Sequence, residues 1–113
     1  MAAPTNPKMH SYVFLRDMAR DSYFPPALVQ KGQQLLVQLC LDIERVKPLT
    51  PADLKDLTHA TTEAFNQLEE EFEANGSGLE TTARESIADG VGVIAAAYGF
   101  DVDIEELISN REW

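Results

Sequence analysis

PALVQKGQQLLVQLCLDIERV, residues Pro26–Val46, carries the periodicity on which the fold turns. Leu28, Leu35, Leu36, Leu39, Ile43 and Val46 recur along it at helical spacing and make one apolar stripe. Val29, Val37, Cys40 and Leu41 widen that stripe beyond a narrow seam, so this helix needs neighbours on more than one side and is expected at the centre. Pro25 and Pro26 suit its start, because the N–H that proline lacks would have had no intrahelical partner in the first turn. Pro48 stops it.

Downstream, Thr50, Pro51 and Asp53 announce a second long helix: a hydroxyl cap, proline at the first position and an acid in the first turn. Its apolar positions, Leu54, Leu57, Thr61, Ala64, Phe65, Leu68 and Phe72, alternate in steps of three and four, which is the face of a bundle helix. The helix is expected to reach about Asn75, where Asn75-Gly76-Ser77-Gly78 forms the clearest loop and Gly76 suits a left-handed C-terminal cap. A further helix follows from roughly Leu79 to Tyr98, with Leu79, Ala83, Ile87, Gly90, Ile94, Ala97 and Tyr98 along one side. From Val91 onward it is apolar nearly all round, so its second half is expected to be buried, with Gly90 and Gly92 admitting a neighbouring helix. Gly99 ends it, and Asp103 with Glu106 makes an acidic capping box for a short last helix through about Ser109.

Upstream, Met1–Met9 with Pro4 and Pro7 reads as a flexible polar tail, residues 1–9, ahead of a single helical domain, residues 10–113. The fold is expected to begin near His10 or Ser11, where Tyr12, Phe14, Leu15 and Met18 make a mixed pattern that a short helix or an extended start would satisfy, with a helix through Arg20 the preferred reading. The expected fold class is therefore all-α, a compact bundle of about four main helices plus a short C-terminal helix.

Charge divides along the chain. Residues 1–50 carry six Lys/Arg against four Asp/Glu, a net of +2, whereas residues 51–113 carry three against fifteen, a net of −12. The resulting −10 argues against nucleic acid and anionic membranes, where binding is driven by Lys and Arg meeting phosphate, and favours a basic partner. With 44% hydrophobic and 25% charged residues the chain falls among folded proteins and outside disordered ones. Cys40 stands alone, so no intramolecular disulfide and no CxxC zinc site can form. Met1–His10 holds no apolar leader segment, and a cytoplasmic protein is expected.

The run Ser11-Tyr12-Val13-Phe14-Leu15-Arg16-Asp17-Met18, then Asp21-Ser22-Tyr23-Phe24-Pro25, Leu39-Cys40 and Glu69-Glu70-Glu71-Phe72, resembles a family of small bacterial proteins known only as a domain of unknown function. The similarity covers His10 to Trp113. It implies a bacterial, stand-alone, largely helical protein and brings with it no substrate, cofactor or catalytic residue.

Four features bear on chemistry. His59, Glu63, Asn66 and Glu70 have the spacing of ligands on one helix face. At about 100° per residue they lie near 200° from Leu57 while the apolar positions cluster near 40°, so they are expected to face solvent and to bind no metal. Glu69, Glu70, Glu71 and Glu73 sit where they oppose the dipole of their own helix, which makes Glu69, Glu70 and Glu73, together with Asp101 and Glu105, candidates for docking a basic protein. Arg16, Arg20 and Lys31 stand among Tyr12, Tyr23 and Phe24, where an anionic metabolite could be gripped by Tyr12, Arg16, Arg20 and Tyr23. Cys40, beside a leucine stripe, reads as a small hydrophobe. Gly90-Val91-Gly92-Val93-Ile94-Ala95 matches GxGxxA inside a helix with no preceding strand, which removes the dinucleotide reading.

The expected function is therefore a non-enzymatic acidic helical interaction module binding a basic protein partner, with no catalytic residue and no cofactor. The alternative is a metabolite-binding protein or enzyme built on the Arg/Tyr cluster. The wide apolar surface of the helix at Pro26–Val46 also leaves room for a homodimer.

Overall fold

The computed structural model describes residues 3–113 and contains, among them, five helices and no strand. They are α1 (Arg16–Arg20), α2 (Pro26–Val46), α3 (Pro51–Ala74), α4 (Thr81–Ala97) and α5 (Ile104–Leu107). The central helix α2 has the expected bounds and packs against α1, α3 and α4. Its inward side is Leu28, Val29, Leu36, Leu39, Cys40 and Ile43, all buried, whereas Leu35 is half-buried and Val46 is exposed.

Local chemistry accounts for the helix ends. The Thr50 hydroxyl accepts from the Asp53 N–H at 3.1 Å and satisfies one of the free donors at the start of α3. At the other end Gly76 takes φ +78°, its N–H donates to the Glu73 carbonyl at 3.1 Å, and the Ser77 N–H donates to the Phe72 carbonyl at 2.9 Å. That pair of bonds is a Schellman motif, and α4 closes the same way through Gly99 and Phe100. The α5 cap is simpler than a capping box: Asp103 accepts from Glu105 N, while Glu106 turns to Lys55.

Gly90 lies where α4 meets its neighbours. A Cβ there would stand 2.9 Å from Leu36 Cδ1 of α2 and 3.5 Å from Phe14 Cδ1, so glycine is what permits the close crossing expected of this segment.

Three expectations require correction. The first helix does not begin at His10. Leu15 sits in the left-handed region at φ 55°, which breaks helical continuity, and only Arg16–Arg20 is helical. Burying both Phe14 and Leu15 requires the chain to turn there, and Tyr12 and Val13 are left exposed at 43% and 49%. The segment at 1–9, expected as a loose tail, packs along the body where it is described: Pro4 and Met9 are buried, and Thr5 and Asn6 are hydrogen-bonded to Glu44. The second half of α4 is buried on one side only, with Val91, Ile94 and Ala95 inward, Val93 half-exposed and Ala96 exposed.

Candidate functional site

The Arg/Tyr cluster is divided in the folded chain. Tyr12 and Arg16 line one hollow of about 200 Å³ together with Val13, Asp17, Ser86 and Asp89. Tyr23 lines a different one, where its hydroxyl donates to Glu80 Oε1 at 3.1 Å. Arg20 is exposed and lines neither, and Lys31 is committed to Glu71 at 2.7 Å. An anion entering beside Arg16 would meet Asp17 and Asp89, and no second guanidinium converges on it.

The first hollow adjoins a larger one of about 480 Å³, lined by Tyr12, Asp89, Val93, Phe100, Asp101 and Ile104. The two share Tyr12 and Asp89 and form one groove along the open side of α4. Ser86, Asp89, Val93 and Ala96 follow one another at helical spacing on that side, opposite buried Ile87, Val91 and Ile94. Tyr12 is held over the groove by its ring contact with buried Phe14, 4.9 Å between centroids. Among the described residues Asp17, Asp89 and Asp101 make no ion pair, so the groove presents three uncompensated carboxylates against the single guanidinium of Arg16. Two residues of the expected ligand set, Tyr12 and Arg16, and one of the expected docking acids, Asp101, thus belong to a single surface. Asp89, the member common to both hollows, was not singled out in the sequence, although the Ser86-Asp89-Val93-Ala96 stripe was present there.

The remaining expected docking acids lie apart. Glu70 and Glu73 are exposed near the C-terminus of α3, and Glu69 is half-buried beside them. Burial, then the charge of Glu73 and more weakly those of Glu112 and Glu70, push the Glu69 carboxyl above its ordinary range against the opposing pull of Arg84. Glu105 is paired with Arg111 at 3.3 Å and Glu106 with Lys55 at 3.6 Å, near the opposite end of α3. Lys55 and Glu69 are fourteen positions apart on one helix, about 20 Å at 1.5 Å per residue, so these acids do not form one patch.

The face carrying His59, Glu63, Asn66 and Glu70 is not uniformly solvated. Glu63 and Glu70 are exposed, but Asn66 is buried and His59 half-buried, because the chain after α5 runs back over them. Asn66 Nδ2 donates to the Asn110 carbonyl at 3.2 Å, its Oδ1 accepts from Glu112 N at 2.8 Å, and Asn110 Nδ2 donates to the His59 carbonyl at 3.0 Å. His59 Nε2 lies 3.1 Å from both Ser109 Oγ and the Glu106 carbonyl. A carbonyl oxygen can only accept, so the tautomer that satisfies this contact is the one with the proton on Nε2. A general base for Ser109 would need that nitrogen free, and the Ser109–His59 contact is therefore a clasp for the chain end. Among the described residues no group of three or more His, Cys, Asp or Glu is placed to hold a metal ion.

A second polar cluster had no sequence signal. Glu44, near the end of α2, accepts from Thr5 N, Thr5 Oγ1 and Asn6 N, each at 3.0 Å, and from the Tyr98 hydroxyl, while Asn6 Nδ2 donates to the Ala97 carbonyl at 2.8 Å. Partial burial acts to raise the Glu44 carboxyl, but these donors outweigh it and bring it from 4.5 to about 2. Burial, followed by its bond to that carboxylate, raises the Tyr98 phenol. Burial also pushes the Cys40 thiol up to about 12, against a bond to Tyr98 that works the other way. Such a thiol is inert as a nucleophile at neutral pH.

A family of unknown function, DUF5713, matches residues 8–113. The chain belongs to that family. No curated protein and no solved structure matches it. The matched segment contains the groove whole, from Tyr12 to Ile104, along with the helices that build it. In this DUF5713 protein no described helix is long and apolar enough to cross a membrane.

Proposed function

We propose that this protein is an acidic docking module that receives a basic, partly apolar segment of another protein in the groove along α4. The observation that carries this reading is the pairing of Asp17, Asp89 and Asp101, without ion pairs among the described residues, with the apolar surface of Tyr12, Val93, Phe100 and Ile104. Carboxylates around an apolar floor select a chain that offers lysine or arginine beside hydrophobic side chains, by charge steering and by burial respectively. Two adjoining hollows suit an extended or helical stretch more than a compact metabolite. The divided Arg/Tyr cluster speaks against the anion-binding alternative, because Arg16 is outnumbered by carboxylates in its own hollow. The role requires no catalytic residue. A bacterial cytoplasmic setting suits it, since a lone thiol such as Cys40 stays reduced there.

Isotope-labelled protein titrated with an amphipathic Lys/Leu peptide, and separately with its Glu/Leu counterpart, tests this. Chemical-shift changes at Tyr12, Val13, Asp89, Val93 and Asp101 are expected with the basic peptide only. Affinity should fall about two- to fivefold in Asp89→Asn and fall again as salt rises, since each exposed charge contact is worth no more than about 1 kcal/mol and is screened. Shifts centred on Glu70 and Glu73 would move the docking face to α3, and no shift at all would remove the basic-segment reading. Citrate titrated in parallel reads the alternative, which predicts changes centred on Arg16.

A further inference from the structure

The α2–α3 turn ends in a knob. Leu49 is 89% exposed, the most exposed of the large hydrophobic residues described, and Val46, three residues earlier at the end of α2, is 47% exposed. Beside the knob is a hollow of about 450 Å³ lined by Pro51, Ala52, Lys55, Val102, Asp103 and Leu107. Its floor is largely apolar, and Pro51 is only two residues from Leu49, so knob and hollow occupy the same end of the molecule.

Their charges are opposite. Lys47, exposed at the C-cap of α2 with φ 55°, makes no ion pair among the described residues. Asp103 on the rim of the hollow makes none either, and Glu106 beside it is held only by Lys55 at 3.6 Å, an exposed pair. A surface that offers a leucine next to a lysine, and an apolar hollow next to carboxylates, is complementary to itself when turned by a two-fold rotation. Leu49 cannot reach solvent-free surroundings within its own chain, since it is the tip of the turn.

We propose that two copies of this chain associate through this end, the Leu49 of each entering the hollow of the other with Lys47 facing Asp103 and Glu106. This hollow adjoins the α4 groove, since Val102 lines both, but the residues varied in its test, Lys47, Leu49 and Glu106, lie outside that groove. The net charge of −10 on each copy opposes association at long range. At about 0.15 M salt that repulsion is screened beyond about 8 Å, whereas partly desolvated contact pairs are screened less, so physiological salt is the favourable condition.

Sedimentation equilibrium of the full chain at physiological salt, over micromolar to millimolar concentrations, is the test. A concentration-dependent dimer is expected, and Leu49→Asp should raise its dissociation constant at least about tenfold, as placing a charge in an apolar hollow does. At concentrations below the dimer dissociation constant, thermal unfolding of Leu49→Asp should match the parent, because the side chain touches little of its own fold. Charge exchange gives the sharper readout. Lys47→Glu alone and Glu106→Lys alone should each weaken the dimer, and mixing the two should restore it as a heterodimer, since both contacts then regain opposite charges. A parent chain that stays monomeric throughout, a dimer insensitive to Leu49→Asp, or a mixture no tighter than the separate variants would each overturn the proposal.

Discussion

The two ends of the described chain are both laid back over the helices, and they are held by different chemistry. Near the N-terminus, Thr5 and Asn6 converge on one carboxylate, Glu44, which also takes the Tyr98 hydroxyl. At the C-terminus, Asn66 and Asn110 exchange bonds with backbone groups, and Trp113 is inserted at 5% exposure against Phe65, with ring centroids 6.3 Å apart. One end hangs on a charge; the other rests on amides and buried aromatic area. In both cases a polar residue in a long helix is the clasp, and one of the two, Asn66, lies on a face that the sequence pattern assigns to solvent. A helix face can thus be polar and still be covered when the covering element is itself hydrogen-bonding chain.

This contrast predicts separable losses. The largest should come from Trp113→Ala, which removes a buried aromatic and should cost about 3 kcal/mol of stability in urea unfolding. Hydrogen exchange at Thr5 and Asn6 should be unchanged in that variant below the unfolding transition; loosening at both ends would mean that they are a single cooperative unit. Next is Asn66→Ala, which leaves the Glu112 N–H and the Asn110 carbonyl without their partner and should cost about 1–3 kcal/mol. Its local signature is faster exchange at Glu112 alone of the two ends.

The third prediction concerns pH. The folded value of Glu44, about 2, lies below its ordinary 4.5, so its contribution is fully present above about pH 4.5 and is lost as pH falls towards 2. Protection of the Thr5 and Asn6 amides should decline across that window while protection of Glu112 follows global stability only. Glu44→Gln should flatten the dependence at the N-terminal end, and an unchanged profile would show that the carboxylate is not what holds it. The smallest effect is expected for Lys31→Ala. Its 2.7 Å pair with Glu71 joins α2 to α3 but is half-exposed, so a change of no more than about 1 kcal/mol is expected and neither end should loosen.

The bounds of α2 and α3 were legible to within a residue because their signals are local: a proline start, a hydroxyl cap, a left-handed glycine and an apolar stripe. The first helix was misjudged at Leu15, where burying Phe14 and Leu15 together overrides the propensity of the run. The candidate site was half legible. Tyr12 and Asp101 stood in separate sets because nothing along the chain says that residues 89 positions apart border one hollow. The Glu44 cluster was invisible for the same reason: Thr5 and Tyr98 lie 39 and 54 positions from their shared partner.

The sequence by itself determined that this is an all-α chain, where its long helices start and stop, and that its acids outnumber its bases. The long helices are set by signals within about four residues that their packing reinforces, and the charge balance by composition alone. Only the tertiary structure decided which polar face is covered, which carboxylate becomes a clasp and which carboxylates stay unpaired beside an apolar groove. Burial and pairing depend on what a distant segment brings to the surface, and the same glutamate is a solvated charge or an anchor according to the neighbours that the fold supplies.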